Sequence, residues 1–242
     1  MIKKLALVVS CEHAVNTIPD AYHSLFKPYI ALLKTHRGID FGALEIALHF
    51  KEVLECDLIC ATTSRLLIDC NRSLNGRCFS EITDSLPVQE KQDIIAQYYL
   101  PFRQSVINQI DKHLAKGSQV IHCSVHSFTP VLNGKVRNAD IAFLYDPQKA
   151  LEKILAKKWR QEIENKSEYR IRMNYPYKGS SDGFTTALRK RYSPEECLGI
   201  EIESNQTLTR KKNSLIDLKN CLAMGLLRCG ATPKYGRFDS GI

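Results

Sequence analysis

The segment FGALEIALHFKEVLECDLICA, residues 41–61, decides the fold class, because two hydrophobic periods follow each other within it. Residues 41–54 carry apolar side chains at the spacing of an amphipathic helix, whereas DLICA, residues 57–61, is a short apolar run typical of a buried strand. The strand-like stretch LALVVS, residues 5–10, precedes this pair. The alternation predicts an α/β protein with three layers, in which a mixed β-sheet is flanked by helices on both faces.

The same patterns continue to the end of the chain. Further strands are predicted at RLLID (65–69), QVIHCSV (119–125), ADIAFLY (139–145), YRIRM (169–173) and LGIEIES (198–204). Helices are predicted at 88–115 with an interruption at Pro101, at 148–164, in a short segment after the loop NYPYKGSSDG (174–183), and at 212–228, which Gly230 would cap. No repeat or flexible linker divides the sequence, so we expect a single domain over residues 1–242.

The composition is that of a globular protein rather than of a disordered or fibrous one, with 44% hydrophobic and 25% charged residues. No apolar run approaches the roughly 20 residues of a membrane helix, and the opening MIKKLALVVSCEH lacks a signal-peptide cleavage site, so we expect a cytoplasmic protein. The nine cysteines form no C-x-x-C pair and are expected to be reduced. The net charge of +8 is spread without a long basic run, which favours a small acidic partner over nucleic acid.

Two histidines follow predicted strands. His13 comes after LALVVS, and His126 comes after QVIHCSV. Either histidine alone is compatible with an ordinary buried role, but their matched placement favours a metal site, because imidazole is a common zinc ligand. Catalytic zinc sites use three protein ligands, so a third donor is expected.

Two carboxylates are candidates for that third donor. Asp40 precedes an amphipathic helix, where it would also be suited to act as an N-cap. Glu12 is adjacent to His13, but strand alternation would point the two side chains apart unless the backbone turns there. We prefer Asp40 and leave Glu12 open.

The strand LGIEIES places Glu201 and Glu203 on one face, opposite its apolar residues. This face is either a solvated surface or a site where one carboxylate acts as a general base beside a metal ion. Glu201 lies deeper in the predicted strand and is the preferred base.

The stretch SRLLIDCNRS, residues 64–73, surrounds three apolar residues with Arg65, Asp69, Asn71 and Arg72. A guanidinium group has a planar fork of donors that suits a carboxylate, and asparagine adds a donor and an acceptor. These side chains either bind an acidic substrate or pair with neighbouring charges on the surface.

Six segments in this order resemble the N-formylglutamate amidohydrolase family, which is related to zinc carboxypeptidases and aspartoacylases. They are SCEHAVNTIP, GIDFGA, SRLLIDCNR, SVHS, NYPYKGSSDG and GIEIES. The resemblance extends from about residue 8 to residue 206 and implies a zinc-dependent amidase with a phosphorylase/hydrolase-like, zinc carboxypeptidase-like fold.

The resemblance also implies roles for individual residues. By position in the motifs, His13 and His126 match metal ligands, Asp40 matches an acidic position, Asn71 and Arg72 match a motif that binds the substrate carboxylate, and Glu201 matches the catalytic carboxylate. In the loop 172–186, Asn174 and Tyr177 are expected to line the substrate pocket.

Three positions depart from the family pattern. Better-known members have Pro-His-Ser-Gly where this chain has Cys-Glu-His-Ala, and an aspartate where this chain has Ser124. The wider superfamily uses a His-x-x-Glu pair, but Asn16 stands three residues after His13. The second change removes a carboxylate expected beside a ligand histidine, so the contact that orients this imidazole is either weaker or supplied from elsewhere.

The sequence therefore predicts a hydrolase with one zinc ion that cleaves the amide of a small N-acyl amino acid, with N-formylglutamate as the leading candidate. One alternative is the same metal chemistry on another N-acyl amino acid or a peptide. The other is a non-catalytic module that binds anions or nucleic acid. Metal content separates the two classes.

Overall fold

The computed structural model describes residues 4–230, which form a central six-stranded sheet and surrounding helices. The strands are β1 (Lys4–Cys11), β2 (Asp57–Cys60), β3 (Ser118–Phe128), β4 (Val131–Leu132), β5 (Lys135–Val136), β6 (Ile141–Leu144), β7 (Ile171–Met173) and β8 (Cys197–Asn205). The sheet order is β2-β1-β3-β8-β6-β7, and β4 and β5 form a separate hairpin. The β6–β8 pair is antiparallel and the other pairs in the large sheet are parallel, so the predicted mixed sheet is confirmed.

Helices cover both faces of this sheet. They are α1 (His23–Phe26), α2 (Ile30–Leu33), α3 (Ala43–Val53), α4 (Val88–Ile94), α5 (Leu100–Leu114), α6 (Ala150–Glu164), α7 (Phe184–Arg191), α8 (Gln206–Thr209) and α9 (Lys212–Arg228). Helix α9 is followed by Gly230 in a left-handed conformation, with φ of 98°, and the Gly230 N–H donates to the Leu227 carbonyl at 3.0 Å. The predicted glycine cap is confirmed.

Two apolar clusters lie on opposite faces of the sheet. Side chains of α3, α6 and α9 pack on one face, and Trp159 of α6 is fully buried there and donates to the Leu222 carbonyl. Side chains of α5 and α7 pack on the other face together with Leu66, Leu67 and Ile68. This arrangement confirms the predicted three layers. No helix within residues 4–230 is both long and apolar enough to cross a membrane.

Two predictions of secondary structure were wrong. Residues 65–67 form a turn and residues 68–69 are irregular, where a strand was predicted. The Ser64 carbonyl accepts from the Leu67 N–H at 2.9 Å and closes the turn. The helical region also continues through Pro101 instead of breaking there. Five π-helical residues, Ile95–Tyr99, join α4 to α5. Pro101 lies in the first turn of α5, where its missing N–H does not interrupt the helix. The short helices α1, α2 and α8 were not predicted.

The face covered by α5 and α7 changes character along the strand direction. In β3, the apolar Val120 is followed on this face by His122, Ser124 and His126, all buried. The register aligns Ser10 of β1, Ser124 of β3 and Glu201 of β8 in one row across the three strands. These strands are parallel, so their polar residues gather at one edge of the sheet, toward the carboxyl ends.

Candidate active site

Three potential metal donors converge at this edge: His13 Nδ1, Asp40 Oδ2 and His126 Nδ1. Asp40 Oδ2 lies 3.1 Å from His13 Nδ1 and 3.0 Å from His126 Nδ1, and the two nitrogens are 3.2 Å apart. Donors each about 2.0–2.1 Å from a tetrahedral zinc ion lie about 3.4 Å from one another. The spacing of the three atoms therefore fits one metal ion.

The hydrogen-bond partners of both rings fix which nitrogen faces the cluster. His13 Nε2 lies 2.8 Å from Asp69 Oδ1, and an ionised carboxylate accepts only, so Nε2 carries the proton. His126 Nε2 lies 2.8 Å from Ser124 Oγ. When both rings are neutral, the Nδ1 lone pairs point at each other and at Asp40, an arrangement that a bound cation stabilises. Without a cation, a proton shared with Asp40 takes this place.

Asp40 is positioned by contacts that are not those of a helix cap. The N-cap of α3 is Gly42, with φ of 77°, and no side chain caps this helix, so the interpretation of Asp40 as an N-cap is wrong. Its Oδ2 atom also accepts from the Ser127 N–H at 3.3 Å. Asp40 is 4% exposed, and its carboxylate is turned toward the histidines.

Glu12 is buried beside this cluster but lies outside the group of three donors. Strand β1 ends at Cys11, and Glu12 accepts hydrogen bonds from Ser10 Oγ at 2.6 Å and from Ser124 Oγ at 2.7 Å. Its Oε2 atom is 3.4 Å from His126 Nε2. The side chain thus contacts the outer side of the His126 ring, away from the Nδ1 atom.

Five buried carboxylates surround the two histidines, and they make the site strongly attractive to positive charge. They are Glu12, Asp40, Asp69, Glu201 and Glu203. Burial alone would lower the pKa of His126, but the hydrogen bond to Asp40 and the nearby negative charges raise this pKa to about 10. For Asp40 and Asp69, burial alone would raise the pKa, but a positive charge on His13, the hydrogen bonds to the carboxylates and the Arg65 guanidinium together outweigh it and hold both pKa values well below their ordinary range. The charge balance, like the donor spacing, fits a divalent cation.

Glu201 and Glu203 both line the cavity beside the histidines. Burial raises the pKa of Glu201, and it raises that of Glu203 to about 8. The register places Glu203 next to His126 and Glu201 next to Ser124. The interpretation of this strand face as a solvated surface is wrong, because Glu201 is only 8% exposed and Glu203 only 6% exposed.

The segment after β2 supplies the cationic side of the site. Arg72 and Asn71 line the same cavity as the histidines. Arg72 Nη1 donates to the Asp182 carbonyl at 2.7 Å, which leaves other donors of its fork for a ligand. The Asn71 Oδ1 atom accepts from the Phe184 N–H at 2.8 Å, so its amide NH₂ group is the part that can serve a ligand.

Arg65 also reaches the site, but its charge is used inside the protein. Its Nη2 atom lies 3.0 Å from Asp69 Oδ2, and its Nη1 atom lies 3.4 Å from Asp40 Oδ1. Arg65 therefore bridges the carboxylates of Asp40, a potential metal donor, and Asp69, which contacts His13 Nε2. A guanidinium with five donors can hold both and still face the cavity.

Of the two residues in the loop after β7 that were expected to line the pocket, only one does so. Tyr177 lines the cavity. The Asn174 Oδ1 atom instead accepts from the backbone N–H groups of Tyr145 and Gly179, both at 3.0 Å, and Asn174 is not among the cavity-lining residues. Asn174 thus holds the loop that carries Tyr177.

The cavity over the histidines has a volume of about 180 Å³. A second cavity of about 280 Å³ adjoins it and shares Asp40, Arg65, Ser127 and Tyr177 as walls. The site can therefore hold a small molecule with groups on both sides of the Arg65 and Tyr177 side chains.

Sequence reasoning did not include Asp69 among the site residues, although it lies within the D-x-N-R segment. Its Oδ1 atom contacts His13 and also accepts from the Asn71 N–H at 3.0 Å. One carboxylate thus ties the orientation of a histidine to the start of the Asn71–Arg72 segment. An aspartate that accepts from the N–H two residues later is a common turn motif, and this was the signal available in the sequence.

Several solved structures are similar to this chain. The gene product Atu2144 from Agrobacterium tumefaciens has a TM-score of 0.79 and 28% sequence identity, with 93% of this chain and 90% of that chain covered. The N-formylglutamate amidohydrolase from Ralstonia eutropha JMP134 has a TM-score of 0.65 at 18% identity, with 93% of each chain covered, which shows a shared fold. No curated protein matches this chain.

The family model of N-formylglutamate amidohydrolases matches residues 5–209. This range is most of the chain and includes every site residue described above, from His13 to Glu203. The resemblance seen in the sequence motifs is confirmed. The chain belongs to the N-formylglutamate amidohydrolase family and is a hydrolytic enzyme that acts on an amide bond.

Proposed function

We propose that this protein is a zinc-dependent amidohydrolase that releases the acyl group from a small N-acyl amino acid, with N-formylglutamate as the leading substrate. The observation that carries the proposal is the cluster of His13, Asp40 and His126 on a cavity that also presents Arg72 and Glu201. A donor set of two imidazoles and one carboxylate is typical of catalytic zinc sites. The same cavity thus offers a metal site, a cationic group and a buried base.

His13, Asp40 and His126 would hold the zinc ion. When bound, zinc polarises a carbonyl oxygen and makes water a better nucleophile near neutral pH. Asp69 contributes by keeping the proton of His13 on Nε2, which leaves Nδ1 free to donate its lone pair.

Glu201 would act as the general base and then as the general acid. Its carboxylate takes a proton from the attacking water as the new C–O bond forms, and it delivers that proton to the amine as the C–N bond breaks. Burial supports this role, because a raised pKa brings the carboxyl group closer to the pH at which it must both accept and return a proton.

Arg72 and Asn71 would hold the carboxylate of the substrate. The free donors of the guanidinium and the amide NH₂ group face the cavity that contains the histidines. Fixing the acid group positions the scissile amide, and such positioning contributes a large part of the barrier reduction in enzymes.

The direct test is elemental analysis of the purified protein combined with a hydrolysis screen over N-formyl, N-acetyl and N-succinyl amino acids. We expect about one zinc ion per chain and release of the free amino acid from one acyl class, with glutamate preferred. Stoichiometric metal without hydrolysis of any of these amides would contradict the assigned substrate class. A protein that binds no metal under any condition would instead support the non-catalytic alternative.

Replacement of Arg72 by lysine should damage activity although the positive charge is kept. An ammonium group cannot reproduce the planar two-donor fork that a carboxylate accepts, and the substitution also removes the guanidinium bond to the Asp182 carbonyl. We expect kcat/KM to fall about 10-fold or more on an N-acyl amino acid, the scale of one charge-assisted hydrogen bond. The measurement is steady-state kinetics on the acid and on its α-amide.

The amidated substrate is the control for this variant. It lacks the acid group, so the wild-type protein and Arg72→Lys should differ much less on it. Equal losses on both substrates would mean that Arg72 has a structural role through Asp182 and does not bind the substrate.

A further inference from the structure

We propose that Glu12 is the carboxylate that orients the His126 imidazole, and that it acts through the Ser124 hydroxyl. The inference rests on the proposed function only in that it takes His126 as a metal ligand. Glu12 is therefore a positioning residue that binds neither metal nor substrate.

A continuous hydrogen-bonded path connects Glu12 to the ring. The Ser124 hydroxyl donates to Glu12 Oε2 at 2.7 Å, and its oxygen lies 2.8 Å from His126 Nε2. Since the hydroxyl proton is committed to the carboxylate, the serine oxygen accepts from the Nε2–H group of the ring. The direct distance from Nε2 to Oε2 is 3.4 Å, so the carboxylate also attracts the ring proton without the intervening hydroxyl.

The direction of these bonds determines what the other ring nitrogen can do. A proton held on Nε2 leaves Nδ1 with its lone pair, and Nδ1 is the atom that faces Asp40 Oδ2 at 3.0 Å. In the neutral ring, these bonds favour the tautomer that a metal ligand needs. Asp69 does the same for His13 by direct contact at 2.8 Å.

Glu12 is itself held rigidly, which an orienting group requires. It is 1% exposed, and its second oxygen accepts from the Ser10 hydroxyl at 2.6 Å. Ser10 Oγ lies 2.8 Å from Nε2 of the fully buried His122. Both carboxylate oxygens of Glu12 are thus fixed by hydroxyl groups, one from β1 and one from β3.

The local sequence explains why the carboxylate comes from the neighbouring strand. Ser124 is two residues before His126 on the same face of β3, but its side chain is a neutral hydroxyl that can relay a hydrogen bond and carries no charge. Ser10 and Ser124 are register partners in β1 and β3, so Glu12, two residues after Ser10, lies beside the ring. A carboxylate from β1 thus reaches the ring of a histidine on β3.

The test is the zinc affinity of the full-length protein, measured by competition with a chelator, for the wild type, Glu12→Gln, Ser124→Ala and the double variant Glu12→Gln/Ser124→Asp. We expect each single variant to bind zinc about 10–100-fold more weakly, the usual cost of losing an outer partner of a metal ligand. The double variant places a carboxylate two residues before His126 and should recover most of the affinity. Recovery by a relocated charge is a result that a merely structural role of Glu12 does not give.

Ser10→Ala is the matched control. It also removes one hydroxyl from Glu12, but this hydroxyl is not on the path to His126. We expect a smaller loss of affinity than for Ser124→Ala, and equal losses would overturn the proposal. If Glu12→Gln does not fold, as judged by circular dichroism, Ser124→Ala decides alone because it keeps the Glu12 charge.

The outcomes separate this inference from the proposed function. Tight zinc binding by the wild type that is unchanged in Glu12→Gln and Ser124→Ala overturns the role of Glu12 and leaves the metal centre intact. A wild-type protein that binds no zinc contradicts both. A folded double variant whose affinity stays as low as that of Glu12→Gln also overturns the role assigned here.

Discussion

Purified His13→Ala and His126→Ala proteins are each expected to lack the zinc ion that the wild-type protein carries, and to lose hydrolytic activity with it. Each substitution removes one of the three donors that lie within 3.2 Å of one another. Loss of a direct ligand should cost more than the 10–100-fold that loss of an outer partner costs, so about 100-fold or more in affinity. Metal content after dialysis against a weak chelator is the measurement.

His113→Ala is a suitable control for both variants. His113 lies in α5 and pairs with Asp57 at 2.6 Å, outside the group of metal donors. It should keep its zinc and its activity. Stoichiometric zinc in both His13→Ala and His126→Ala would refute the ligand assignment, whatever the effect on activity.

The fold could be predicted where the sequence signal is local. In residues 41–61, the helical and strand periods stand side by side, and α3 and β2 form there. The prediction of a strand at residues 65–69 was wrong, because burial of an apolar run does not by itself require a strand. Leu66, Leu67 and Ile68 are indeed buried, but besides the local bond to Ser64 they depend on residues further along the chain. The carbonyls of Leu66 and Leu67 accept from the hydroxyls of Ser80 at 2.6 Å and Thr83 at 3.1 Å. The Asp69 N–H, for example, donates to the Cys78 carbonyl at 2.7 Å, a contact that a short apolar run cannot reveal.

The site was predictable for residues that occupy strand ends or alternate along a strand. His13, His126 and Glu201 fall into this class, and the structure brings all three to one cavity. His126 lies within β3 rather than beyond its end, because the strand extends to Phe128. His126 meets the other site residues because it lies on the same face of the sheet as they do, and its position relative to the strand end is not decisive.

The remaining contacts depend on pairs that are far apart in the chain. Asp69 meets His13, and Ser124 meets Glu12, only because the parallel strands and the segment after β2 assemble in one place. Alternation predicted that Glu12 and His13 would point apart unless the backbone turned. The backbone does turn at residues 12–13, and both side chains reach the His126 ring, Glu12 at Nε2 and His13 at Nδ1. The pattern of one strand shows which way Glu12 points, but it does not show that the neighbouring strand places His126 there.

Replacement of Glu201 by glutamine should lower kcat by about 100-fold or more while zinc content stays at the wild-type level. Glutamine keeps the size of the side chain and the register of β8 next to Ser124, but its amide cannot take the proton of the attacking water. A factor of 100 corresponds to about 2.7 kcal/mol of lost transition-state stabilisation. Steady-state turnover on the preferred N-acyl amino acid, with elemental analysis of the same sample, measures both quantities.

Glu203→Gln is the matched control, since Glu203 lies two residues further along the same face and lines the same cavity. By its position in the family motif Glu201 is the proposed base, whereas Glu203 lies nearer the end of β8, beside His126, and burial raises its pKa to about 8. We therefore expect a smaller loss of turnover for Glu203→Gln. A larger loss for Glu203→Gln than for Glu201→Gln would assign the role of general base to Glu203, which lies next to His126. If both variants turned over as fast as the wild type while still binding zinc, the metal site would stand, but neither carboxylate would carry the proton.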